Sequence, residues 1–185
     1  MDWGRPTGDF WVFAYGSLIW QPDFAHAEAQ PALLGGYHRA LCISSVTYRG
    51  TRETPGLVFG LDRGGACRGM AFRIAEKDVD AVARKIWERE MVTEVYRPRW
   101  LQARLPQGRV PVWAFVADRG HEQYVGRLSD AETVRLILQG HGRAGPCLDY
   151  VTNTFEHLEA LGIHDRALAR LCRMAAAAQG EDVTS

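Results

Sequence analysis

The pattern of apolar and polar positions divides the chain into a strand-rich first part and a helical end. Trp11 to Ala14 is an apolar run rich in β-formers that stops at Tyr15-Gly16-Ser17, which predicts a buried strand ending in a glycine turn. Leu33 to Val46 predicts a second strand with a Gly35-Gly36 break. Thr47 to Gly56 is a charged loop ending in Thr-Pro-Gly, and Leu57 to Leu61 and Cys67 to Ile74 read as two short strands of a hairpin through Asp62 to Gly65.

Glu76 to Met91 carries the first helical period: its apolar stripe runs Val79, Val82 with Ala83, and Ile86, and the next step of that rhythm lands on Glu90. Val95 to Leu105 and Val110 to Ala117 then predict two strands joined by Pro106 to Arg109. From Ser129 the period is helical again. Ser129-Asp130-Ala131-Glu132 resembles a capping box for a helix that stops at Gly140, a glycine-rich loop covers 141 to 146, and helices are expected over about 147 to 161 and 164 to 179, with a fraying tail.

Composition narrows the classes. With 185 residues, 46% hydrophobic and 24% charged, the chain is long enough for a real core and has the balance of an ordinary globular protein, so a single domain over 1 to 185 is expected, with its core at about 10 to 165. Basic and acidic residues both number 22, and no basic run offers a phosphate-backbone footprint, which argues against nucleic acid as a partner. No signal-peptide pattern and no membrane-spanning run is visible, so a cytoplasmic protein without a membrane partner is expected. The four cysteines form no C-x-x-C pair, and His157 and His164 are not spaced as a helical ligand pair, so no metal and no cofactor is expected.

Two positions stand out chemically. A glycine after a strand allows positive φ and close approach of a ligand, so the amides of Gly16, Ser17 and Leu18 can converge on one anionic or carbonyl oxygen; an ordinary tight turn is the alternative. Ser17 lacks the G-x-S-x-G setting of a nucleophile. Glu90, on a core-facing stripe at a helix C-terminus, combines burial with an unfavourable dipole, which raises a carboxyl pKa toward proton-shuttling use. Alternatively, it pairs with Arg89, Arg97 or Arg99, or reaches water at the helix end.

Residues 11 to 20, Trp-Val-Phe-Ala-Tyr-Gly-Ser-Leu-Ile-Trp, resemble the signature of the ChaC family of glutathione-specific gamma-glutamylcyclotransferases. Gly36-Tyr37-His38-Arg39, Tyr48-Arg49-Gly50-Thr51, Thr54-Pro55-Gly56-Leu57, Trp87 to Met91, and Asp149-Tyr150 with Thr154 and Leu161-Gly162-Ile163 resemble further family segments in the same order. The resemblance implies an α+β fold, a small mixed β-barrel flanked by helices, and cleavage of glutathione to 5-oxoproline and Cys-Gly without a cofactor. It implies Glu90 as catalytic acid/base, with Val12, Phe13, Ala14, Tyr15, Gly16, Ser17, Leu18 and Tyr150 as substrate-binding residues. Many members have a glycine shortly after the Arg-Glu pair, where this chain reads Met91-Val92-Thr93-Glu94-Val95; that loop and Gly142 to Pro146 are expected near the peptide beyond the γ-bond. Another γ-glutamyl peptide or amine as substrate, and a non-catalytic binding module or transport regulator, are the competing functions.

Overall fold

The computed structural model describes residues 8–182. Their contacts form two compact units, one made of the chain up to Ala40 with Gly60–His121, the other of Leu41–Phe59 with the chain from Glu122 onward. In chain order the strands and helices are β1 (Phe10–Ala14), β2 (Glu28–Ser45), β3 (Gly56–Ile74), α1 (Val79–Glu90), β4 (Tyr96–Leu105), β5 (Gly108–Ala117), α2 (Asp130–Gln139), β6 (His141–Gly142), β7 (Gly145–Pro146), α3 (Cys147–Ala160) and α4 (Arg166–Asp182). This is an α+β fold built on a closed five-stranded barrel in the order β1-β3-β2-β4-β5. Among the described residues no helix is long and apolar enough to cross a membrane.

The first unit holds the paired registers of the barrel. β1 runs antiparallel to β3, Phe10 opposite Ile74 through Ala14 opposite Met70, and parallel to β5 at Trp11 and Val12. With neighbours on both edges and both faces covered, three successive residues of β1 are buried, Val12, Phe13 and Ala14, which is why the strand reads as a continuous apolar run. β4 and β5 form the expected hairpin, with Leu105 opposite Gly108. Trp113 packs edge-on against Phe115 at 4.7 Å and against Phe10 at 6.2 Å in the barrel core.

Two expectations need correction. The Gly35-Gly36 pair does not break β2, which passes through it with Gly36 at φ 83°, and no hairpin divides 57 to 74. β3 is one strand of 19 residues that bends through Gly64 at φ 100° and Gly65 at φ 69°. Glycine adopts these left-handed angles without the steric cost of a side chain, so the strand passes through them without ending. Asp62, which read as turn chemistry, instead holds Arg119 at 2.7 Å.

The second unit is largely helical. α2, α3 and α4 pack on one another, burying Ile137, Val151, Leu158 and Leu168. Ser129 caps α2 as expected, its Oγ accepting the Glu132 N–H at 3.2 Å, while the Glu132 carboxylate turns to Arg135. Here too the start of β3 docks on α3: the Leu57 N–H donates to Cys147 Sγ at 3.2 Å, and that thiol donates to the Leu57 carbonyl at 3.1 Å. The expected fraying tail lies in part outside the described residues.

Candidate active site

In the first unit the apolar stripe and the glycine turn meet. α1 follows a short 3-10 turn, Glu76–Asp78, whose acidic residues suit the positive end of the helix dipole. Val79, Val82, Ala83 and Ile86 are buried, so the helix is fixed rotationally by its core face, and Glu90, one turn beyond Ile86, is carried inward with them. Its side chain is only 16% exposed. The helix ends there, with the Met91 N–H on the Trp87 carbonyl at 2.9 Å, and Glu94 at φ 57° redirects the chain into β4.

Burial pushes the Glu90 carboxyl above its usual range, with the Arg89 guanidinium acting weakly in the opposite direction. Arg89 Nε lies 3.5 Å from Glu90 Oε1, so the pairing alternative is realised, yet at a distance that leaves desolvation dominant. Arg97 is engaged elsewhere, with Asp118 at 2.6 Å.

β1 ends in a 3-10 turn over Ser17–Ile19, with the Ile19 N–H on the Gly16 carbonyl at 2.9 Å. The ladder of the turn begins there, so the amides of Gly16, Ser17 and Leu18 precede it and find no partner within it. Gly16 has φ −130°, so the positive φ open to a glycine there is not used. Gly16 and Leu18 are buried and Ser17 is half-buried, whereas Val12, Phe13 and Ala14 are sealed within the barrel wall at no more than 1% exposure. Tyr15 is buried with its hydroxyl donating to the Phe115 carbonyl at 2.8 Å, and its own carbonyl accepts from Arg39 Nε at 2.5 Å.

Arg89 joins the two pieces. Its Nη2 donates to Ser17 Oγ at 3.0 Å and its Nη1 to the Gln21 carbonyl at 2.8 Å, so one guanidinium separates the Glu90 carboxylate from the turn. In the sequence Arg89 stands out only as a neutralising partner for Glu90, and Arg39 only as the end of the Gly36 to Arg39 segment. Both sit inside the segments that carry the family resemblance, Trp87 to Met91 and Gly36 to Arg39, and that placement was the available signal.

Tyr150 belongs to the second unit, where its hydroxyl accepts the Phe59 N–H at 3.2 Å and its ring lies 5.3 Å beneath the Arg49 guanidinium. Arg49 also donates to the carbonyls of Ala144, at 2.5 Å, and Pro146, at 3.2 Å. Two of the resembling segments, Tyr48 to Thr51 and Asp149-Tyr150, thus come together with the glycine-rich loop. Among the described residues no three His, Cys, Asp or Glu side chains gather as metal ligands.

The family model described as ChaC-like protein matches residues 10–178. The glutathione-specific gamma-glutamylcyclotransferase of Escherichia coli K12 is 34% identical over 166 residues, covering 89% of this chain and 72% of its own length. Human glutathione-specific gamma-glutamylcyclotransferase 1 is 27% identical, covering 85% of this chain and 75% of its own. The crystal structure of a yeast gamma-glutamyl cyclotransferase specific to glutathione superposes with a TM-score of 0.85 at 19% identity, over 91% of this chain and 96% of the yeast one. The structural likeness carries the fold, and the family match, running through both units and every motif segment from the turn after β1 to α3, carries the kinship: this chain belongs to the ChaC-like protein family.

Proposed function

We propose that this chain is a glutathione-specific gamma-glutamylcyclotransferase, a lyase that releases 5-oxoproline and Cys-Gly. The α-amine of the γ-glutamyl group attacks its own side-chain carbonyl; the ring C–N bond forms, the γ-amide C–N bond breaks, and atoms balance without water or redox change. The amine is an ammonium near neutral pH and attacks only after losing a proton. Glu90 takes that proton as carboxylate and delivers it to the departing nitrogen, a service worth roughly 10² to 10⁴ in rate.

The observation that carries this reading is the placement of a buried carboxyl, its pKa raised by desolvation, one guanidinium away from a turn that opens with three amides outside its own ladder. Those amides hold either the α-carboxylate or the oxygen on which charge grows during ring closure. Gly16, Ser17 and Leu18 supply the contact, Tyr15 anchors the strand behind it, and Val12, Phe13 and Ala14 form its sealed foundation. Tyr150 contacts the substrate, as the family resemblance implies. The chain, 1 to 185, acts as one catalytic domain in the cytoplasm on a small γ-glutamyl peptide, without nucleic acid, membrane or cofactor.

Incubation of the protein with glutathione, γ-glutamyl dipeptides and γ-glutamylamines, with quantification of 5-oxoproline and free amine, tests the reading. Cys-Gly and 5-oxoproline in equal amounts from glutathione, with little from the others, is expected. Turnover of a different γ-glutamyl compound in preference to glutathione moves the substrate, and no 5-oxoproline from any of them restores the binding-module reading. Glu90→Gln is expected to fold and bind but to release no 5-oxoproline.

A further inference from the structure

Two pieces of the first unit must stay in register for such a proton transfer, the end of α1 and the turn after β1. Each is closed by its own backbone hydrogen bonds, Met91 N–H to the Trp87 carbonyl and Ile19 N–H to the Gly16 carbonyl. The Arg89 guanidinium, 28% exposed, reaches three different groups with its three nitrogens: Nε lies 3.5 Å from Glu90 Oε1, Nη2 donates to Ser17 Oγ at 3.0 Å and Nη1 to the Gln21 carbonyl at 2.8 Å. A planar fork with fixed donor angles is suited to setting three partners in one geometry, which a lysine ammonium on a flexible stem is not. At the other end of the same segment Arg39 holds the Tyr15 carbonyl at 2.5 Å and the Arg68 carbonyl at 2.6 Å. The turn is therefore pinned at both ends, and Arg89 in addition touches the group that moves the proton.

We propose that Arg89 is a positioning residue for the cyclisation, locking the Glu90 carboxylate, the Ser17 hydroxyl and the Gln21 carbonyl into one rigid arrangement. This rests on the reading of Glu90 as acid/base. When Glu90 accepts the ammonium proton its ionic attraction to Arg89 falls away, while the bonds to Ser17 and Gln21 persist and keep the fork in place. After Glu90 protonates the leaving nitrogen, the carboxylate returns to a cation that has not moved. Arg89 itself gains and loses no proton.

Among the described residues the charge acting on Glu90 is that of Arg89. On the same helix, Lys85 is occupied by Asp23 at 3.1 Å; at the start of β4, Arg97 is occupied by Asp118; the turn contributes the neutral Ser17 hydroxyl. Removing Arg89 therefore removes a charge that favours the Glu90 anion, and the acid limb of activity moves to higher pH.

The test uses the full chain with Arg89→Gln and Arg89→Lys, measuring kcat and KM for glutathione between about pH 5 and 9, with circular dichroism and melting temperature beside them. Arg89→Gln is expected to fold, to lose about tenfold to a hundredfold in kcat as charge-assisted bonds vanish, to change KM less, and to shift the acid limb upward. Arg89→Lys restores the charge without the fork, so its acid limb returns to that of the wild type while kcat recovers only in part. Wild-type kcat in Arg89→Gln, a loss confined to KM with an unshifted acid limb, or full recovery by Arg89→Lys overturns the proposal; if Arg89→Gln does not fold, the Arg89→Lys result decides it. Wild-type protein that forms no 5-oxoproline, or an active Glu90→Gln, strikes instead at the acid/base reading, so the two failures are distinguishable.

Discussion

Replacing Glu90 by glutamine keeps the shape of the side chain and removes its charge, which makes stability, as well as activity, a gauge of the site. Burial raises the carboxyl pKa in the folded state, against an ordinary glutamate value of about 4.3 in the unfolded chain. The sign follows directly. Below the unfolded value both states hold the proton and Glu90 adds no pH dependence. As pH rises through that value the unfolded chain ionises while the folded one resists, so wild-type stability falls, and the loss levels off above the folded pKa. Glutamine cannot ionise, so the Glu90→Gln variant gains on wild type over that window, by about 1.4 kcal/mol for each unit of upward displacement.

The opposing contribution is visible: the guanidinium at 3.5 Å stabilises the anion, and its loss in the variant offsets part of the gain. At 16% exposure the site is poorly hydrated, so desolvation outweighs that ion pair. In a chain of this length a gain of about 1 kcal/mol raises the melting temperature by roughly 2–4 °C. Urea or thermal unfolding of both proteins from about pH 4 to pH 8 reads the difference. A wild type that grows more stable than the variant as pH rises shows a carboxylate favoured by the fold, and removes the raised pKa on which the proton transfer depends.

Two further outcomes concern the backbone around the site. Glu94 occupies φ 57° without being glycine, so Glu94→Gly relieves a left-handed strain and is expected to stabilise the protein by about 0.5–1 kcal/mol, read by chemical denaturation; an unchanged or lower midpoint counts against strain there. Gly69 lies against the start of the turn, where an added Cβ would collide with the Ala14 carbonyl and come within 3.0 Å of the Phe13 ring. Gly69→Ala is expected to cost about 1–3 kcal/mol by forcing strand β1 aside and to lower kcat/KM with it, and wild-type values for both would show that the strand tolerates displacement.

Legibility from the sequence varied with the range of the forces involved. The hairpin of β4 and β5 and the helices were readable because turn residues, caps and periodicity act over a few neighbours, as at Ser129 and Pro106-Gln107. The course of β3 was not. Asp62-Arg63-Gly64-Gly65 has hairpin composition, yet the strand continues: Arg119, 57 positions away, takes Asp62, β5 pairs with the strand before the glycines, at Leu61, and β1 pairs with it after them, from Met70 to Ile74. Gly16 likewise takes φ −130°, although a glycine after a strand is free to adopt positive φ.

The stripe Val79, Val82, Ala83, Ile86 determines by itself that Glu90 points inward, because helical geometry fixes which residues share a face. Which group meets it there is decided only in three dimensions. The turn after β1 and the end of α1 are more than 70 positions apart in the chain, as the 72-residue separation of Arg89 from Ser17 shows, and no local pattern encodes such a meeting. Closure of the barrel, with β1 set between β3 and β5, anchors the strand from which the turn emerges, and the buried face of α1 orients the carboxyl. Local periodicity can turn a side chain toward the interior, but only long-range packing selects what it finds there.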